Sequence, residues 1–157
     1  MEEIINEKNQ YLTFELDEVY GFPVVRVIEV LEVCKITRVP GSPAFIDGVI
    51  NSRGSVIPVI DLKKKLSIGS VGKSIDTRII ILEVCFDGEC TQIGLLVDKV
   101  LEVFTFLPDE IEEKPAMGMN LKMEFIHGIG KKDEQFIILL NIDTLLSLEE
   151  LTLKASA

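Results

Sequence analysis

Residues 21–30 read GFPVVRVIEV and residues 94–103 read GLLVDKVLEV; both fit G-x-x-V-x-[RK]-V-[IL]-E-V, 73 residues apart. Phe45-Ile46-Asp47-Gly48-Val49 returns as Phe125-Ile126-His127-Gly128-Ile129, 80 residues on, and Ile60-Asp61 returns as Ile142-Asp143, 82 residues on. The matches keep their order and the offsets grow slowly, as insertions in a second copy would make them. This duplication predicts two related units, at about 10–75 and 76–146, with Gly69–Ser74 (GSVGKS) as a flexible junction. A unit of that size is too small for a secure core of its own, so the two must pack together.

The units read as all-β. Tyr11–Leu16 alternates with Leu12, Phe14 and Leu16 on one face, the mark of a half-buried strand. Arg78–Phe86, RIIILEVCF, is β-branched and almost continuously apolar, so it reads as a strand covered on both faces. Asp87-Gly88 is a turn signal, after which Gln92–Phe106 resumes strand character; Gln135–Ile142 is a further strand. Pro40, Pro43, Pro58, Pro108 and Pro115 interrupt any long helix. Only a short terminal helix is expected, capped by Asp143 and running to about Leu151. Short strands with Gly, Pro and Asp turns argue for barrels or a sandwich.

The net charge of −10 would repel a phosphate backbone, so nucleic acid is not an expected partner. The one basic run, Lys63-Lys64-Lys65, reads as a solvated turn after a strand. Cys34, Cys85 and Cys90 form no CxxC and read as reduced, mostly buried thiols. The acidic N-terminus MEEIINEKNQ lacks the apolar stretch of a signal peptide, and no apolar run approaches membrane-spanning length. A cytoplasmic protein without direct membrane insertion is expected.

Chemistry is hard to find. His127 is the only histidine, which excludes multi-histidine zinc sites; it stands where Asp47 stands in the other copy, as a residue at a turn or strand end would. Gly72-Lys73-Ser74 imitates the end of a phosphate-binding loop, but position 67 is serine where glycine is required, and a strand follows instead of a helix. Asp109, Glu110, Glu112 and Glu113 form a solvated acidic turn. No catalytic residue, metal site or cofactor is expected, and the chain reads as a binding module.

Gly48–Asp61, GVINSRGSVIPVID, places a lone Arg53 at the centre of an apolar segment, in a turn ended by Gly54. Its guanidinium has either a partner, for which Glu29 is the candidate, or free access to water. Val24, Val27 and Val30 recur at spacings of three; they cannot all face one core, so part of this stretch is an exposed groove, or is covered by the second unit, or is both at different edges of one surface.

The run FIDGVINSRGSVIPVIDLKKKL resembles the signature of CheW-like domains, usually GVINLRGxVIPVIDL. The resemblance covers about residues 10–150. It implies two small five-stranded SH3-like β-barrels packed together, with a short C-terminal helix. It also implies a non-enzymatic adaptor of two-component chemotaxis signalling, recruited to receptor arrays. Its partners would be the cytoplasmic tip of methyl-accepting chemoreceptors and the regulatory domain of the histidine kinase CheA. Carried over by position, Val24, Val27, Glu29, Val30 and Arg53 would face the receptor, and Arg78 and Gly94, on the second barrel, the kinase. Gly48, Asn51, Gly54, Pro58 and Asp61 would be the structural residues of the motif. Ser52 replaces the usual leucine, and Pro115 stands alone where prolines are often paired. Two competing readings are a small enzyme using His127 with a cysteine and a nucleotide-binding protein using Gly72-Lys73-Ser74.

Overall fold

A computed structural model of the chain describes residues 9–86, 88–112 and 125–146. The first half supplies β1 (Gln10–Leu16), β2 (Glu18–Pro23), a 3₁₀ turn at Val24–Arg26, β3 (Val27–Glu32), β4 (Ile46–Ser52), β5 (Ser55–Asp61) and α1 (Leu62–Lys65). The second half supplies β6 (Arg78–Phe86), β7 (Glu89–Val97), β8 (Lys99–Thr105), β9 (Ile111–Glu112), β10 (Ile126–Lys132), β11 (Gln135–Leu140) and α2 (Ile142–Leu145). The strands form two mixed sheets, ordered β3-β6-β7-β5-β4 and β8-β1-β2-β11-β10-β9.

The two sheet orders are the same order written with the two copies exchanged. Hairpin β1–β2 lies in the sheet built mainly by the second half, and its counterpart β6–β7 lies in the sheet built by β3, β4 and β5. The sheets therefore do not divide the chain at residue 75. The repeated G-x-x-V-x-[RK]-V-[IL]-E-V segment is the crossing from one sheet to the other. Gly21 pairs with Thr13 and Leu139, and Gly94 pairs with Ile81 and Val59, so both glycines lie between an antiparallel and a parallel neighbour. The expected single stretch Gln92–Phe106 is accordingly split at Asp98 into β7 and β8, which belong to different sheets.

The other repeated segment is explained by close approach. Both hairpins β4–β5 and β10–β11 shift register at the residue before the shared glycine, Asp47 in one and His127 in the other. At Gly48 (φ +152°) a Cβ would run into the carbonyl oxygen of Thr37, and at Gly128 it would lie 3.0 Å from that of Glu112. Thr37, beyond the end of β3, exchanges hydrogen bonds of 2.9 and 2.8 Å with Val49, so the five-stranded sheet curls until the segment after β3 meets β4. Strand β9 makes the equivalent approach to β10 in the other sheet and accounts for its sixth strand.

One apolar cluster joins the sheets, with Phe14 and Phe22 from one and Ile80 and Leu95 from the other, all fully buried. Ile79–Leu82 have no exposed surface, as expected for a strand covered on both faces. Fully burying such side chains stabilises by roughly 1.5–3 kcal/mol each, which binds the two copies into one body.

Several local expectations are corrected. Asn141, not Asp143, caps α2: its Oδ1 accepts from the amides of Asp143 (3.1 Å) and Thr144 (3.3 Å). Its counterpart is Asp61, which caps α1, so the duplication aligns Ile60-Asp61 with Leu140-Asn141. Residues 147–151 of the expected helix lie outside the described residues. The Lys63–Lys65 run is α1 itself, and Lys63 is largely covered. The junction is anchored: Val71 is buried and its amide donates to Asp61, while the Thr77 hydroxyl donates to the Gly72 carbonyl at 2.9 Å. Cys34 is exposed, and Cys85 and Cys90 are joined in a disulfide across β6 and β7.

Candidate functional site

The signature segment makes a two-residue hairpin whose tip is Arg53-Gly54. Ser52 pairs with Ser55, and both tip residues have positive φ, 55° at Arg53 and 86° at Gly54. The primed turn that such a connection needs explains the glycine, and the Asn51 side-chain oxygen accepts from the Gly54 amide at 3.1 Å. Pro58, paired with Val49, sits within β5. Asp61 ends β5 in a buried position and accepts from the Lys64 amide (3.1 Å) and the Val71 amide (3.0 Å).

Arg53 Nη2 lies 3.1 Å from Glu29 Oε1, with the arginine side chain 78% exposed and the glutamate 25% exposed. Glu29 is on β3 and Arg53 joins β4 to β5, so this surface ion pair spans the two ends of the curled sheet.

Strand β3 alternates. Val27, Glu29 and Leu31 are half-buried, while Ile28, Val30 and Glu32 point out. Val24 and Val27 pack against the core, whereas Val30 stands on the outer side, so the residues named from the resemblance do not all share one face. Sequence reasoning missed exposed apolar residues in this region, among them Val25, Ile28 and Val56, the last 71% exposed beside the hairpin tip. The period-two pattern of Val27–Glu32 carried the signal for Ile28, and reading valines by threes obscured it.

Arg26 orients this edge. Its Nη2 bonds Asp143 Oδ1 at 2.7 Å, and its Nη1 donates to the Glu83 carbonyl at 3.3 Å, tying the 3₁₀ turn to α2 and to β6. Lys63 makes a second tie, with its ammonium 3.0 Å from Asp17 and 2.9 Å from Asp98. Hydrogen bonding to Asp98, followed by that to Asp17, raises the Lys63 pKa above its ordinary value against the opposing effect of burial.

Arg78 and Gly94 are placed differently from expectation. Both belong to the same sheet as β3, not to the second one. Arg78 Nη1 donates to the carbonyls of Ile75 (2.8 Å) and Thr77 (2.9 Å). Gly94 is buried, and a Cβ there would meet Ile79 Cγ2 at 2.8 Å, so this glycine is required for close packing.

His127 is exposed on β10 and lines a cleft with Tyr11, Arg26 and Asp143 to which no cysteine contributes. Gly72-Lys73-Ser74 leads into β6, with Lys73 ion-paired to Asp47 at 3.0 Å.

Residues 10–150 match the model of the CheW-like domain. The chain is 34% identical over 145 residues to the chemotaxis protein CheW of Klebsiella aerogenes, covering 92% of this chain and 85% of that one. It is 34% identical over 149 residues to the chemotaxis protein CheW of Thermotoga maritima, covering 92% and 91%. Among solved structures, the scaffolding protein TtCheW of Thermoanaerobacter tengcongensis superposes with a TM-score of 0.80 at 40% identity, covering 91% of this chain and 95% of that one.

Proposed function

The chain belongs to the CheW-like domain family, and on that footing we propose that it is the cytoplasmic, non-enzymatic adaptor that couples chemoreceptors to the histidine kinase CheA. The observation that carries the two-sided form of this reading is a duplicated apolar surface. Ile28, Val30 and Val56 are exposed on the five-stranded sheet, and Leu101, Val103 and Phe136 are exposed at the equivalent positions of the other. A molecule with two related apolar faces is built to hold two partners at once.

The first set, with Val24, Val27 and the Arg53–Glu29 pair at its border, is assigned to the receptor's cytoplasmic tip. A helical hairpin lays an apolar stripe into such a surface, and the ion pair fixes the hairpin tip beside it. The second set is assigned to the kinase regulatory domain, which resembles this fold and offers a surface of the same kind. Ser52 keeps the hairpin tip polar where leucine is usual, which tunes the choice of receptor.

The test is capture of a receptor-tip fragment and of the CheA regulatory domain by the purified chain, separately and together. Ile28→Asp should lower receptor affinity at least tenfold and leave kinase capture unchanged; Phe136→Asp should do the reverse. Capture of neither fragment by the folded chain would refute the adaptor reading, and loss of both partners in each variant would refute the division of faces.

A further inference from the structure

We propose that Cys85 and Cys90 form a reversible thiol–disulfide exchange site that switches the outer half of the β6–β7 hairpin between a stapled and an open state. Cys85 faces Cys90 across the two strands, with Cα atoms 3.9 Å apart and the sulfurs bonded. Both residues are exposed, so a small disulfide or a reductant can reach them.

The position in the sheet gives the bond its effect. Strand β3 accompanies β6 only as far as Leu82, and β5 accompanies β7 only from Gly94 onward. Beyond those points, among the described residues, the hairpin is a two-stranded ribbon with no third strand beside it, a pairing that is marginal on its own, and Val84 is its buried anchor in the core. A groove separates it from the start of β5, lined by Val56 and Ile57 on one side and Glu83, Cys90 and Gln92 on the other. The bond closes a loop with only four residues between its cysteines, so it constrains the unfolded chain little. Its influence is local, on whether the ribbon keeps its pairing. Because Val56 forms one wall of the groove, opening the ribbon would alter the border of the receptor face; that consequence rests on the docking reading, whereas the exchange site itself does not.

The chemistry balances with a low-molecular-weight disulfide as oxidant. One cysteine thiolate attacks the small disulfide and releases a thiol. The second cysteine then attacks the mixed disulfide, releasing another thiol and leaving the Cys85–Cys90 bond. Two electrons and two protons pass from the protein to the small disulfide, and a dithiol reductant reverses the step. In a reducing compartment such accessible pairs act transiently and not as permanent staples.

The full-length chain should be reduced, equilibrated with glutathione buffers of increasing disulfide content, and assayed for titratable thiols, intact mass and amide exchange. The expected result is concerted loss of two of the three thiols within single chains. Exchange across residues 83–86 and 88–92 should slow by roughly tenfold or more on oxidation and recover on reduction. Cys34→Ser should leave this behaviour intact, and Cys85→Ser or Cys90→Ser should abolish it; all three positions are exposed, which favours folding of the variants. Retention of all three thiols at the oxidising end would overturn the proposal. So would cross-linking through Cys34, or unchanged exchange in the ribbon. Glu83 and the two sulfurs also lie within 4.8 Å of one another. Capture of zinc by the reduced chain that persists in the glutathione disulfide buffers, with no bond formed, would replace the exchange site with a metal site.

Discussion

Arg53 combines two opposed contributions. A non-glycine residue with φ 55° sits in the left-handed region, which costs about 1–2 kcal/mol. Its exposed ion pair with Glu29 returns at most about 1 kcal/mol. Arg53→Gly should therefore leave the melting temperature nearly unchanged or slightly raised, while receptor capture falls several-fold. Full capture by this variant would remove Arg53 from the docking face. Asp61 is the reverse case, a buried side chain serving structure alone. Asp61→Ala leaves the Lys64 and Val71 amides without their acceptor and should cost about 1–3 kcal/mol in denaturant unfolding. Asp61→Asn, which keeps an acceptor oxygen as Asn141 does in the other copy, should cost less. Equal losses in the two variants would contradict the hydrogen-bond account.

Among elements, α1 shows how a polar run can be structural. Lys63 joins the β1–β2 turn at Asp17 to the β7–β8 crossing at Asp98, and so links hairpins of both copies. Its pKa is raised in the folded state, so its contribution is complete below the ordinary lysine value of 10.5 and is lost as pH rises through the folded value. Stability measured across that alkaline range should fall, and Lys63→Met should flatten part of the fall. An unchanged slope in that variant would refute the clamp. No sequence pattern distinguishes such a lysine from a solvated one, because the two carboxylates come from distant turns. Hairpins and single strands were legible, since alternation and turn residues act over a few positions. Sheet partners were not, because the two copies carry the same pattern and either could supply a given neighbour. The Arg53–Glu29 pair could be named as a candidate because an arginine flanked by apolar strands limits its options. The packing role of Gly94 was not legible, because a glycine required for close packing against Ile79 looks, in one sequence, like a glycine required for access.

At the scale of the whole molecule, the core is continuous from Phe14 and Phe22 to Ile80 and Leu95. Ile80→Ala should therefore cost about 2–5 kcal/mol and lower one shared unfolding transition. Two separated transitions would show that the sheets melt independently. The exchanged hairpins carry this further. Each half of the chain lends β1–β2 or β6–β7 to a sheet completed by the other half, and the halves meet through a connection with an exposed point at Gly72-Lys73. The molecule thus has the architecture of a strand-swapped homodimer whose two subunits have been fused end to end. Its folding is, physically, an association reaction made unimolecular by a tether. A chain cut between Gly72 and Lys73 should behave as two obligate partners, each unfolded alone and folded together, with a stability that depends on concentration.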